Sequence, residues 1–324
     1  ERSRKVVGNE LTVLTGNANR ELSLSICNIL GIELGNAMVD RFPEGEVRVQ
    51  ILENVRGKDV FIIQPTSAPA NDSLMELLIL LDAAKRASAR RVTAVLPFYG
   101  YARQDRKDRP RVPITAKLLA NLLVTSGASR VLTVDLHAGQ IQGFFDIPVD
   151  HLYSINVLCD YFLEKRIPNM VVVTTDVGGL KMARAYSSVL EAPLAVVDKR
   201  RESASQVKVM NIIGEVRNRN VVIVDDIIST GGSLVEAAQA LKEAGALDIY
   251  AAVVHPVLAK DAAKRVENSV IRELVVTDSI PIPEEKQNSK IVVRTIAPLL
   301  AEAIKRIHGN ESVSSLFAQT AVEA

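Results

Sequence analysis

The chain has 324 residues, 48% of them hydrophobic, with 39 Lys and Arg against 38 Asp and Glu for a net charge of +1. That length suits two domains of ordinary size, and the balanced charge argues against nucleic acid or an anionic membrane as a partner. With no apolar run long enough to cross a bilayer, no apparent signal peptide, and only Cys27 and Cys159, which lack zinc spacing, the expectation is a cytoplasmic chain in a reducing compartment with two buried core thiols.

The chain opens on "ERSRKVVGNE" without Met, which suggests a trimmed leader or tag, and its first strand is "LTVLT" from Leu11. A helix is expected to follow near Asn19. "EVRVQI" from Glu46 alternates as a half-exposed strand does, and "DVFIIQ" from Asp59 reads as a buried strand. Asn71 is placed as the cap of a helix running to about Ser88, with Leu74, Leu77, Leu78 and Leu81 on one face. "RVTAVLP", "RVLTVDL", "NMVVVTTD", "PLAVVDK", "VVIVDD", "IYAAVVH" and "ELVVTD" are further strands, most of them separated by helical stretches such as "ITAKLLANLLVTSG". This is a doubly wound α/β pattern repeated twice. The boundary falls near Pro148 to Asp150, and the helix from about Pro298 to His308 could pack on either half.

The chemistry concentrates at strand ends. In "VVIVDDIISTGG" a β-branched run, Val221 to Val224, reads as a central parallel strand leading into Asp225 and Asp226. Open α/β sheets bind ligands at that end of a strand. Thr230, Gly231, Gly232 and Ser233 then enter a helix, and a glycine turn at a helix N-terminus offers backbone N–H groups to an anion. Donors for a phosphate beside acceptors for hydroxyls or Mg²⁺ suit a phosphorylated sugar; an ordinary turn with solvated aspartates is the plain alternative. No Gly-Lys-Ser/Thr follows, so this is not a Walker A loop.

"VVVTTDVGGLKMAR" repeats the logic with Asp176, Gly178 and Gly179, or is a β–α turn with a capping aspartate. "VVDKRRESAS" puts Lys199 and Arg201 on one face by alternation, where paired cations could neutralise a transferring phosphoryl group, or is an exposed basic turn. The stretch from Leu96 to Thr115 carries Arg103, Arg106, Lys107, Arg109 and Arg111. It reads as a binding loop for a polyphosphate or as a solvated charged loop. "VDLHAGQIQGFFDIP" sets Asp135 and His137 two apart at a strand end, so that both would point to one side. In "DRFPEGEVRV", Phe42 stands before Glu44, Gly45 and Glu46, a weak purine-binding signal in a place where a core phenylalanine is the commoner reading.

Together "FPEGE", "NDSLMELL", "YARQDR", "VDLHAGQIQGFFDIPVD", "TTDVGG", "DKRR", "VDDIISTGGS" and "NESVSSLF" resemble, in order and over nearly the whole chain, ribose-phosphate diphosphokinase. This family is also called phosphoribosyl pyrophosphate (PRPP) synthase, and the resemblance is to its class I type. It implies an α/β fold of two similar phosphoribosyltransferase-like domains, each a largely parallel sheet flanked by helices. One would span residues 1–149, joined by C-terminal helices in 297–324; the other, 150–296, would hold ribose 5-phosphate. The reaction implied is Mg²⁺-dependent transfer of the diphosphoryl group of ATP to the 1-hydroxyl of that sugar, giving PRPP and AMP for nucleotide biosynthesis. Lys199 and Arg201 match its catalytic pair. Asp225, Asp226 and Ser229 to Ser233, with Arg201, match the ribose-5-phosphate site. Asp176, Gly178 and Gly179 match the diphosphate loop, and His137 and Asp176 the metal ligands. Arg103 and Gln104 match the ATP-binding pair, with Phe42, Glu44, Gly45 and Glu46 as the adenine-side loop supplied by a neighbouring subunit.

Ser229 stands where the family usually has Asp, which removes an acceptor near the ribose but leaves the phosphate cradle. Arg56, Ser88, Arg111, Ser312, Ser314 and Ser315 match an allosteric site between subunits that takes inorganic phosphate as activator and ADP as inhibitor. The resemblance also implies a homo-oligomer, a hexamer. A phosphoribosyltransferase would lack "YARQDR" and "DKRR"; a non-catalytic regulatory relative would lack catalytic residues that are present here.

Overall fold

The β-branched runs form strands and the leucine-rich stretches form helices in a computed structural model that describes residues 10–200 and 209–316. These fall into two units, one holding the described residues up to Leu152 and from Ile296 on, the other Tyr153–Thr295.

Unit 1 runs β1 (Leu11–Thr15), α1 (Arg20–Leu30), β2 (Ala37–Arg41), β3 (Val47–Ile51), β4 (Asp59–Ile63), α2 (Ala70–Arg86), β5 (Arg91–Leu96), α3 (Thr115–Ser126), β6 (Arg130–Val134) and β7 (Val149–Leu152). Its sheet has the order β1-β4-β5-β6-β7, all parallel. β2 and β3 leave the sheet as an antiparallel hairpin. Asn19 caps α1 as expected, its side chain accepting from the Leu22 N–H at 3.2 Å. Asn71 does not cap α2. That helix starts at Ala70 behind Pro69, and Asn71 Oδ1 accepts from the Tyr101 hydroxyl instead. A proline just before the first turn supplies the start that a side-chain cap would otherwise mark. Leu74, Leu77 and Leu81 are buried on α2, with Leu80 beside them and Leu78 only partly covered. Each such leucine contributes about 2 kcal/mol of transfer free energy.

Unit 2 runs α4 (Ile155–Lys165), β8 (Met170–Thr174), α5 (Leu180–Val189), β9 (Leu194–Arg200), β10 (Val209–Ile213), β11 (Asn220–Ile228), α6 (Gly232–Glu243), β12 (Ile249–Pro256), α7 (Ala262–Glu267), β13 (Ile271–Thr277) and β14 (Ile291–Arg294). Its sheet has the order β10-β9-β8-β11-β12-β13-β14, and only β10 is antiparallel. β11 is flanked on both sides, and Val221–Val224 are buried, as a continuous apolar run requires.

The last helix, α8 (Ala297–His308), packs on α1 and so belongs to unit 1. Cys27 and Cys159 are buried, and burial pushes their thiols up to about 11 and about 12. No described helix is long and apolar enough to cross a membrane.

Candidate functional site

Unequal strand lengths shape the carboxyl edge of the unit 2 sheet. β8 pairs with β9 only as far as Thr174↔Val196 and with β11 only as far as Val224↔Thr174. β9 and β11 each run four residues further, to Arg200 and Ile228. At the rise of an extended strand, both neighbours overhang the end of β8 by about 13 Å. The turn from Thr175 to Gly179 lies between the overhanging strands.

The sequence places Asp225 and Asp226 at a strand end, but β11 continues past them. Asp225 sits opposite Val253 of β12, and pairing goes on through Ile228↔Pro256. The two carboxylates therefore stand within a held strand rather than on a loose loop. The Asp226 N–H donates to Asp225 Oδ1 at 2.9 Å, and the Thr175 hydroxyl donates to Oδ2 at 3.5 Å. Burial pushes the Asp225 carboxyl up to about 7, reinforced by the side chain of Asp226 and the charge of Asp176. Such an oxygen-rich field of crowded negative charge fits a hard divalent cation, which would relieve it. Among the described residues no group of three or more His, Cys, Asp or Glu could hold a metal by itself. Mg²⁺ characteristically takes one or two carboxylates and completes its shell with water and substrate oxygens, so the donor set fits that ion.

The turn after β11 is braced from below. The Leu258 N–H donates to the Ile228 carbonyl at 3.0 Å and the Ala259 N–H to the Ser229 carbonyl at 2.9 Å. Gly231 has φ 73°, which favours glycine, and a Cβ there would stand in ordinary contact with Ala262 at 3.5 Å. Gly231 is the N-cap of α6 and has no side chain to cap that helix. Its first N–H groups have no intrahelical acceptor and carry the positive end of the helix dipole. Thr230 and Ser233 are exposed on the same turn.

The turn after β8 is built differently. Asp176 Oδ1 accepts the Gly179 N–H at 2.7 Å, so Asp176 closes the turn into α5 while remaining exposed. A Cβ on Gly179 would overlap the Thr174 hydroxyl, which explains the glycine without any unusual φ. Lys199 lies in β9 opposite Met210, three residues beyond the last β8–β9 pair. Arg201 lies outside the described residues.

In unit 1 the tip from Phe42 to Glu46 closes the β2–β3 hairpin. The Phe42 N–H donates to the Glu46 carbonyl and the Gly45 N–H to the Phe42 carbonyl, both at 2.8 Å, with Gly45 at φ 96°. Phe42 is 40% exposed with the Arg48 guanidinium over its ring, which overturns the core reading. The 97–114 loop is anchored at its base. The Tyr99 hydroxyl donates to the Ala116 carbonyl at 2.8 Å and the Gly100 N–H to the Thr66 hydroxyl at 2.6 Å. Thr115 donates to Gln104 Oε1 at 2.6 Å, and Arg103, Arg106 and Arg109 are exposed.

Asp135 and His137 do not point to one side by strand alternation. β6 ends at Val134, Asp135 turns to φ 40° and is buried, and His137 is exposed. Alternation fails because the strand has already ended. The segment is then fixed by His151, whose Nε2 accepts the Leu136 N–H at 2.9 Å.

The residues matched to an allosteric site are not gathered within one chain. Arg56 and Ser88 lie near each other before β4 and β5, the Gly57 N–H donating to the Ser88 carbonyl at 2.9 Å. Arg111 lies after β5, on the opposite edge of a parallel sheet. The Ser312 carbonyl accepts from Arg306 at 3.0 Å, and Ser314 and Ser315 begin a short 3-10 turn.

Two residues of the unit 2 edge carry no sequence signal of their own: Thr175, which reaches Asp225, and Arg265 of α7, whose Nη1 would lie 3.4 Å from a Cβ at Gly232.

Two family models match the chain, the N-terminal domain of ribose phosphate pyrophosphokinase over residues 11–127 and the phosphoribosyl synthetase-associated domain over residues 201–318. A ribose-phosphate pyrophosphokinase of Bacillus caldolyticus is 53% identical over 308 residues, covering 95% of this chain and 98% of that protein. One from Chlorobaculum tepidum is 55% identical, with 95% of each chain covered. The crystal structure of phosphoribosylpyrophosphate synthetase from Mycobacterium smegmatis superposes with a TM-score of 0.89 at 41% identity, covering 93% of this chain and all of that one.

Proposed function

The chain belongs to the ribose-phosphate pyrophosphokinase family, and on that premise we propose how its residues divide the work of moving a diphosphoryl group from ATP to ribose 5-phosphate. It is an ATP-dependent transferase that forms PRPP and AMP for nucleotide biosynthesis. One observation carries the assignment of the sugar site: α6 begins behind a glycine N-cap that has no side chain, a few residues after the Asp225–Asp226 pair. The amides, Ser229, Thr230, Gly231, Gly232 and Ser233 take the 5-phosphate, and the two carboxylates take the ribose hydroxyls.

The sugar's 1-hydroxyl oxygen attacks the β-phosphorus of ATP, its proton passing to solvent. The bond from that phosphorus to the oxygen bridging the α-phosphate breaks, and AMP leaves with the bonding electrons. Lys199 and Arg201 place positive charge against the transferring group and the leaving oxygen. The turn of Asp176, Gly178 and Gly179 holds the diphosphoryl group. Mg²⁺, when bound, would neutralise phosphate charge; the Asp225–Asp226 pair would hold an ion together with substrate oxygens, and His137 and Asp176 are metal ligands by the family resemblance.

Arg103 and Gln104 hold ATP from the anchored loop, Arg103 against the adenine. Phe42, Glu44, Gly45 and Glu46 complete that site from a neighbouring copy, a role suited to an exposed hairpin tip. The same need for neighbours supports a homo-oligomer, a hexamer. Inorganic phosphate as activator and ADP as inhibitor act at Arg56, Ser88, Arg111, Ser312, Ser314 and Ser315 drawn from different copies, because Arg56 and Arg111 lie at opposite sheet edges of one chain. A cytoplasmic location fits both substrates.

The test is AMP release from ATP and Mg²⁺ with and without ribose 5-phosphate, and with and without inorganic phosphate. AMP appearing only with the sugar is the expected result, and dependence on phosphate is expected from the regulatory site. AMP release indifferent to the sugar would sink the assignment.

A further inference from the structure

We infer that Arg265 is a direct ligand of the sugar's 5-phosphate, an inference that rests on reading the β11–α6 turn as the ribose 5-phosphate site. The argument begins with the placement of α7. The chain leading into that helix is tied to the turn by the Leu258 and Ala259 N–H groups, which donate to the Ile228 and Ser229 carbonyls at 3.0 and 2.9 Å. Ala262 is buried, and a Cβ at Gly231 would stand 3.5 Å from its carbonyl. Ala262 and Arg265 are three residues apart, so they share one face of α7. That face looks onto the glycine turn: Ala262 covers Gly231, and Arg265 Nη1 would come within 3.4 Å of a Cβ at Gly232, the first residue of α6.

A cation at this turn suits a phosphate, in addition to Arg201, which the family resemblance already brings to the sugar site. The carboxylates of Asp226 and Asp176 on the same sheet edge would repel a phosphate dianion, and Asp225 would join them once it ionises near pH 7. Backbone amides and the hydroxyls of Thr230 and Ser233 are neutral donors. Arg265 is exposed, and among the described residues it makes no ion pair and no side-chain hydrogen bond. The turn carries no carboxylate from Ile227 to Ser233 that could take it. A guanidinium presents a planar fork matched to phosphate oxygens, and here it stands at the glycine-capped end of a helix that already favours an anion. The plainer role for Arg265, countering the dipole at the end of α7, would serve equally well on the solvent side, as Lys264 can.

The experiment compares the full-length wild type with Arg265→Ala, Arg265→Gln, Arg265→Lys and Thr230→Val by steady-state kinetics. It includes the preference for ribose 5-phosphate over unphosphorylated ribose. Losing a charged hydrogen-bonding partner of the phosphate should raise the KM for ribose 5-phosphate about tenfold in both the Ala and Gln variants. The KM for ATP should move far less, the preference over ribose should fall by the same factor, and Lys should recover part of the loss. An unchanged sugar KM in Arg265→Gln, or a loss shared equally by both KM values and by thermal stability, overturns the inference. If Thr230→Val alone raises the sugar KM, the turn is the sugar site and Arg265 is not its ligand. If neither position matters, the reading of the turn falls with it.

Discussion

Unit 1 and unit 2 each carry a strand–glycine–helix turn at the carboxyl edge of a parallel sheet, and the two turns are used in opposite ways. In unit 1 the β1–α1 turn is filled by the protein's own side chains. Glu76 Oε2 accepts the Asn17 N–H at 2.9 Å, Gln64 Oε1 accepts the Ala18 N–H at 3.1 Å, and Asn19 caps Leu22. A Cβ at Gly16 would meet Gln64 at 2.5 Å, so no space is left over. In unit 2 the N-cap of α6 is Gly231, which has no side chain to cap the helix. The same local geometry serves as a structural joint in unit 1, and in unit 2 is the turn proposed above to take the sugar's phosphate.

The largest effect that would mark unit 2 as the reactive edge is expected from Lys199→Ala. Removing a cation from the transferring group should lower kcat by about 10²- to 10³-fold with a smaller change in the KM for ATP, as read by steady-state AMP release. Unchanged turnover would remove the electrostatic mechanism.

Glu76→Gln probes the filled turn. Both Glu76 oxygens receive N–H donors, from Asn17 and Gln64. An amide –NH₂ in place of one oxygen should cost about 2–3 kcal/mol. Denaturant unfolding should show that loss, while the sugar KM of the folded enzyme holds; a raised sugar KM would mean that the two turns are not so separate.

Gly231→Ala probes the glycine-capped turn. A Cβ at φ 73° costs about 1–2 kcal/mol, and displacement of the turn should raise the sugar KM several-fold. Equal sugar affinity in this variant would move the phosphate elsewhere.

The smallest effect concerns stability alone. In the folded chain the Asp225 carboxyl keeps its proton up to about pH 7, against an ordinary value of 3.8. Between those values the folded state binds more protons than the unfolded one, so stability falls as pH rises. Asp225→Asn escapes that loss. Its ligand-free Tm should exceed the wild type's by a few degrees above pH 7, with the difference fading toward pH 4. A pH-independent difference in thermal melts would show that the Asp225 carboxyl is not held above its ordinary range.

Much of this was readable from the chain. Val221–Val224 announce a buried strand because four consecutive β-branched residues suit no half-exposed element. Gly231 and Gly232 before "LVEAAQALKEAG" announce a helix start. Asn71 misled because Pro69 already supplies the start of α2. Phe42 misled because a lone aromatic looks like core until the hairpin lifts it out.

By itself the sequence determined the two-fold α/β repeat, the strands and most helices, and the candidate acid pair, glycine turns and basic segments. These follow from periodicity, side-chain branching and turn chemistry within a few residues. Only the tertiary structure decided that β9 and β11 outrun β8, that Glu76 closes the β1–α1 turn while a glycine caps the other, and that one face of α7 brings Arg265 onto Gly232. Strand register and helix facing are set by packing between segments distant in the chain, and no local pattern of residues encodes which partner a backbone amide will find.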